Sequence, residues 1–220
     1  MTPEKFAERK ERIAKLDAAL KKMFPRAKIE LNFGNPLELL VAVQLSAQCT
    51  DKRVNMVTET LFKKYRTLDD YVNAKPAEFE NDIRSTGFFR NKTKNILAAA
   101  RMIKAEFGGN VPKTIEEMLL LPGVARKTAT VVLATAYGVV AGITVDTHVL
   151  RFASRFDLSD YKDPVRVERD LMELLPKKEW VGFAHRVIHY GRYLAPARAY
   201  DTSTDPLVKL YPPAAHRFRS

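Results

Sequence analysis

Apolar residues recur at helical spacing along almost the whole chain, and short polar caps divide them into segments. Thr2-Pro3 reads as an N-cap and first helical residue, opening a charged amphipathic helix to about Met23. Asn35-Pro36 opens a second segment, in which Leu37, Leu39, Leu40, Val41, Val43 and Leu45 are apolar nearly all round, the pattern of a buried central helix. Thr50-Asp51 caps a third, to about Tyr65, and short helices follow from Leu68 and from Pro76. Gly87 breaks the pattern. Asn91 to Phe107 then places Ile96, Leu97, Ala100 and Ile103 on one face. Thr114-Ile115-Glu116-Glu117 has the form of a capping box, for a helix that ends at Pro122-Gly123. A helix from Lys127 to Tyr137 follows. Asp146, Asp163 and Lys178 begin three more, with Gly191 near the last stop. From about Ala195 the chain is poor in pattern and rich in proline. No segment shows sustained alternation and no tandem repeat occurs, so the expected fold is all-α.

Composition narrows what such a fold could do. At 220 residues the chain can form one large domain or two small lobes around a real core. Its formal charge of +11 points to an anionic partner, although a merely basic soluble protein has the same balance. No run reaches the roughly 18 apolar residues of a membrane span. The first residues, Met1-Thr2-Pro3-Glu4-Lys5, lack the apolar region of a signal peptide. The single cysteine, Cys49, excludes an internal disulfide and any cysteine-built metal cluster, so no metal is expected. The expected compartment is the cytoplasm.

Candidate chemistry concentrates in Leu121-Pro122-Gly123-Val124-Ala125-Arg126-Lys127-Thr128-Ala129 and in Val145-Asp146-Thr147-His148. Pro-Gly makes a tight turn, which alone would be an ordinary connection between two packed helices. Arg126 and Lys127 follow at once, however, and the small residues Ala125, Thr128 and Ala129 leave the backbone amides open. Open amides at a helix N-terminus form an anion site, and a phosphodiester is the obvious anion. Such contacts position DNA without reading its sequence. Ala125 stands where a second glycine would give the closest approach, so the contact is slightly looser. Lys127, beside the positive end of a helix, is expected to have a depressed pKa and more free amine, and partial burial would push it the same way. A solvated lysine is its plain alternative. Asp146 has one too, since Asp-Thr before an apolar helix is ordinary N-capping. Capping keeps the carboxylate ionised at the helix mouth, so the two readings are compatible.

These two stretches resemble the helix-hairpin-helix DNA glycosylases, specifically the endonuclease III family. The likeness extends through Leu45-Ser46-Ala47-Gln48-Cys49-Thr50-Asp51, Thr86-Gly87-Phe88 and His189-Tyr190-Gly191-Arg192-Tyr193, and covers about residues 30 to 194. The resemblance implies two helical lobes with DNA in the cleft between them: residues 30–140 bearing the hairpin, and 1–29 with 141–220 forming the other. Lys127 and Asp146 would face each other across the gap. Damaged double-stranded DNA would be the partner, and the protein would act as a monomer.

The implied reaction starts by flipping the damaged base out of the stack. Lys127 would attack C1′, expel the base and form an imine to the sugar, and β-elimination would then cut the strand. Asp146 would stabilise positive charge developing on the sugar and help activate the amine. Relatives that only remove a base lack this amine, so Lys127 implies a bifunctional glycosylase and AP lyase, with oxidised pyrimidines as substrates. Gly123, Ala125, Arg126 and Thr128 would hold the DNA backbone. Gln48 would fill the space left by the flipped nucleotide, and Phe88 would wedge beside the unpaired partner base. Alternatively, Gln48 bonds within its helix end and Phe88 is a core aromatic. His148 would be structural or a contact to the DNA backbone. The family typically carries an iron–sulfur cluster on cysteines spaced C-x₆-C-x₂-C-x₅-C near the C-terminus. Those positions fall here on Ala195, Thr202, Asp205 and Tyr211, so no cluster is expected. Two other functions stay open: a glycosylase of altered specificity, for mismatched or alkylated bases, and a non-catalytic DNA-binding module.

Overall fold

A computed structural model describes residues 2–196 and 200–218 of the chain. The chain divides into two compact units, Met1–Ile29 with Gly142–Ser220 and Glu30–Ala141. Every regular element among the described residues is helical.

The first unit starts with α1 (Pro3–Met23), which Thr2 caps by accepting from the Lys5 amide. Glu4 in its first turn and Lys21 and Lys22 in its last complement the helix dipole. Ile13, Leu16 and Leu20 supply the buried face. Arg9 shares that face with no exposed surface, and its guanidinium reaches Asp157 at 2.9 Å and Asp160 at 2.8 Å. Pairing of this kind offsets the cost of burying a charge.

The second unit is built around α2 (Pro36–Leu45), whose residues from Leu39 to Leu45 are all buried, as its all-round apolar pattern requires. Then come α3 (Asp51–Lys64), α4 (Leu68–Val72), α5 (Pro76–Ile83) and a 3₁₀ turn over Arg84–Thr86. Next is α6 (Phe89–Glu106), which starts at Phe89 rather than Asn91 because Gly87 and a left-handed Phe88 complete the break before it. The unit closes with α7 (Ile115–Leu120) and α8 (Arg126–Tyr137). Helix α8 packs on α2, while α4 and α5 pack on α6.

The chain returns to the first unit with α9 (Thr147–Arg155) and α10 (Pro164–Leu174), capped by Asp146 and Asp163. A 3₁₀ turn at Lys177–Glu179 leads into α11 (Trp180–His189), so Lys178 lies just ahead of the helix it was expected to begin. Gly191 is not a stop: Tyr190–Leu194 runs on as a π-helical turn. A Cβ on Gly191 would overlap the ring of His148, so close packing explains this glycine. The unpatterned stretch after Ala195 falls partly on 197–199, which lie outside the described residues, as do Met1 and 219–220. Beyond that stretch the chain forms α12 (Pro206–Leu210) and α13 (Ala214–Arg217).

Candidate active site and nucleic-acid surface

The hairpin is held by its apolar residues and by two polar ties. Leu121 and Val124 are buried, and the Val124 amide donates to Leu121 O at 3.1 Å to close the turn. Thr114 caps α7, accepting from the Glu117 amide and donating its hydroxyl to the Glu117 carboxylate at 2.9 Å. Gln44 in α2 donates Nε2 to Pro122 O at 2.8 Å, anchoring the tip to the unit's central helix. Gly123 has φ +73°, and a Cβ there would stand 2.7 Å from Cβ of Asn95 in α6. Ala125 is the N-cap of α8 but gives it no side-chain hydrogen bond, and the first bond of the helix runs from the Ala129 amide to Ala125 O. The amides of Lys127 and Thr128 therefore have no partner within the helix, which leaves an anion-binding mouth. Gly123, Ala125 and Lys127 are exposed there, with Arg126 and Thr128 half-buried beside them.

Lys127 sits in the first turn of α8, as the sequence indicates, and is exposed there. Asp146 is half-buried and accepts from the amides of His148 at 2.8 Å and Val149 at 2.9 Å. Both bonds fall on Oδ1, so Oδ2 remains open among the described residues. His148 is half-buried, with Nδ1 3.1 Å from Arg151 and its ring against Gly191. Packing thus accounts for His148 without a ligand.

Gln48 and Phe88 both line a cavity of about 360 Å³. Phe88 is 66% exposed, which excludes a core role. Gln48 (φ +54°) and Phe88 (φ +47°) are both left-handed. Non-glycine residues rarely adopt that conformation, and they cluster where a surrounding framework enforces it.

The segment 41–177 matches the HhH-GPD superfamily, described as base excision DNA repair proteins. Endonuclease III from Synechocystis sp. is 50% identical over 88% of this chain and 89% of its own length. The structure matches a non-covalent endonuclease III–DNA complex with a TM-score of 0.91 and 45% identity, covering 96% of this chain and 99% of the other. A trapped endonuclease III–DNA covalent intermediate matches with a TM-score of 0.90 and 44% identity over 96% and 99%. The chain belongs to the HhH-GPD superfamily. Its endonuclease III homologues make it an enzyme of base excision repair, a DNA glycosylase with AP lyase activity.

The iron–sulfur cluster implied for this family does not fit the residues present. Ala195 is fully buried and bonded to Tyr190 O, and Asp205 is buried and fully engaged. Asp205 Oδ1 accepts from the Leu207 amide at 2.7 Å and from the Val208 amide, while Oδ2 accepts from the hydroxyls of Tyr190 and Tyr200. A carboxylate that caps a helix and takes two phenols has no capacity left for iron. In the tail, Leu207 and Val208 are buried in the core of the first unit and Leu210 is exposed. Tyr211 packs against the same core and also meets the Arg12 guanidinium, 4.0 Å from its ring centre.

Sequence reasoning missed Gln44 and Lys92. Gln44 is the one polar residue within the buried run of α2, and its Oε1 is buried without a partner among the described residues. Lys92 is 7% exposed and donates Nζ to Leu45 O and to Thr86 O, each at 2.8 Å. Burial pushes its pKa down. A signal existed: Lys92 lies four residues before Ile96, on the apolar stripe of its own helix.

No helix among the described residues is long and apolar enough to cross a membrane.

Proposed function

We propose that this chain binds damaged double-stranded DNA and removes oxidised pyrimidines, with Lys127 as the nucleophile. The carrying observation is an exposed primary amine in the first turn of α8, at a helix mouth with open amides. Phosphate oxygens would accept from the amides of Lys127 and Thr128, and the small Gly123 and Ala125 would let the strand approach. Arg126 and Thr128 would add side-chain contacts to the same backbone.

In the reaction, the neutral Nζ of Lys127 attacks C1′ while the glycosidic C–N bond breaks, and the base leaves with the electron pair and gains a proton. Ring opening converts the adduct to an imine. Its electron demand acidifies the C2′ proton, and loss of that proton expels the 3′ phosphate and cuts the strand. Asp146 answers the positive charge on the sugar with Oδ2, since Oδ1 already holds the start of α9. The two endonuclease III–DNA structures, one of them covalent, support this reading of the chemistry. Gln48 and Phe88 act as probes that enter the duplex at the lesion. The chain works without an iron–sulfur cluster, because Asp205 and its two tyrosines occupy the tail where cluster ligands would stand.

Borohydride trapping on a thymine-glycol duplex tests the scheme. Wild-type protein is expected to give a covalent adduct that Lys127→Ala does not. Asp146→Asn should cut turnover about 10²-fold or more with little change in DNA affinity. Absence of an adduct at every oxidised, alkylated, mismatched and abasic site would overturn the amine mechanism. A colourless protein is expected, and absorbance in the visible blue would contradict the cluster-free reading.

A further inference from the structure

We propose that Lys92 is a positioning residue that holds the Gln48 and Phe88 loops at one fixed spacing, so that both probes enter the duplex at the same base step. The inference rests on the probe roles given above to these two side chains. Leu45 ends α2 three residues before Gln48, and Thr86 ends the 3₁₀ turn two residues before Phe88. One ammonium group therefore ties together the two backbone segments that present the probes, through two 2.8 Å bonds.

The chemistry of this contact is specific. Among the described residues Lys92 makes no salt bridge, so burying it is unfavourable, and a methylene chain alone would fill the space. What an amine adds is donors for two carbonyls that no backbone amide serves. Both loops need such a tether, because each carries a left-handed non-glycine residue that relaxes unless its surroundings hold it. Gln44 extends the frame from the same cavity. Pro122 O can only accept, which fixes Nε2 toward it and aims the unpartnered Oε1 away. The hairpin tip is thus braced to α2 by Gln44, and the two probe loops are braced to each other by Lys92.

This division predicts a division of labour. Extruding a base requires its stack space to be filled as it leaves, so the probes must arrive together. Attack by Lys127 depends on the hairpin, whereas both Lys92 hydrogen bonds go to Leu45 and Thr86 beside the probes. A duplex with a preformed abasic site has no base to extrude and depends less on the Lys92 tether.

The test compares wild-type protein with Lys92→Met under single turnover. Rates are measured on a thymine-glycol duplex and on a preformed abasic site in the same sequence, with 2-aminopurine beside the lesion to report unstacking. The glycosylase rate and the unstacking rate should both fall about 10²-fold, the cost of an ångström-scale misplacement, and the lyase rate only about threefold. Equal losses in both reactions mean a merely structural lysine and overturn the proposal. So does unstacking at the wild-type rate in Lys92→Met while Phe88→Ala is slow. Unstacking at the wild-type rate in Phe88→Ala removes the probe role of Phe88, and the tether with it. If Lys92→Met does not fold, Lys92→Arg takes its place: it keeps the donors but shifts the loops. The same unequal loss is expected there, and equal losses again overturn the proposal.

Discussion

At Gly123 two demands fall on one residue. Its φ of +73° belongs to the left-handed region, and the space a Cβ would need is held by Cβ of Asn95 at 2.7 Å. A flexible side-chain tip could yield; a Cβ fixed to α6 cannot move without its helix. Gly123→Ala should therefore destabilise the protein by about 2–4 kcal/mol, the sum of a left-handed alanine and an overpacked contact. Urea titration measures this directly. The same change should weaken DNA binding equally on all sequences, because a turn that contacts phosphate carries no base information. A variant as stable as wild type would show that α6 does not seat the turn.

Among the elements, those with local signals are legible in the sequence. Thr2, Asn35, Thr50, Asp146 and Asp163 each cap the helix expected after them, because an N-cap is a bond between residues two or three apart. The hairpin is legible for the same reason. The π-helical turn at Tyr190–Leu194 is not, since Gly191 is set by a ring from another helix and its letter alone reads as a terminator. The brace is hidden as well: Lys92 finds a carbonyl 47 residues away and Gln44 one 78 away, and a backbone acceptor leaves no mark in the sequence. Helix α12 combines both cases. Asp205 caps it locally, but its importance lies in Tyr190 and Tyr200, which it joins to the helix start. Asp205→Ala should strip the cap and leave a buried phenol without its acceptor, costing about 2–4 kcal/mol. Asp205→Asn, which still caps, should cost less. Equal stability of wild type and Asp205→Ala in urea would remove this residue as the anchor of the tail.

Across the whole molecule, ionisation couples folding to pH from both ends. Asp160 is held at about 2 by hydrogen bonds from Arg9 and Lys5, so the stability it contributes is present above the usual aspartate value and lost as pH falls toward 2. The alkaline limit involves both units. Burial and a bond to Asp82 push Tyr65 up to about 12, and burial raises Tyr71 beside it. In the other unit burial and Asp205 raise Tyr190 and Tyr200. Each of these phenols keeps its proton in the folded state at a pH where the unfolded chain has lost it. Their stabilisation is therefore complete below the unfolded value of about 10 and is lost as pH climbs through the folded values. Two effects oppose this. Lys92 has its pKa lowered by burial, so its own contribution favours folding as pH rises. Deprotonation of other lysines relieves the repulsion of a chain with a formal charge of +11. The first is one group against four tyrosines. The second is screened in about 1 M salt, where the Debye length is about 3 Å. In that salt the urea midpoint should fall between about pH 9 and about pH 11, and tyrosinate absorbance should rise together with unfolding rather than before it. A midpoint that holds or rises over this range would mean that the buried phenols do not set the alkaline limit of either unit.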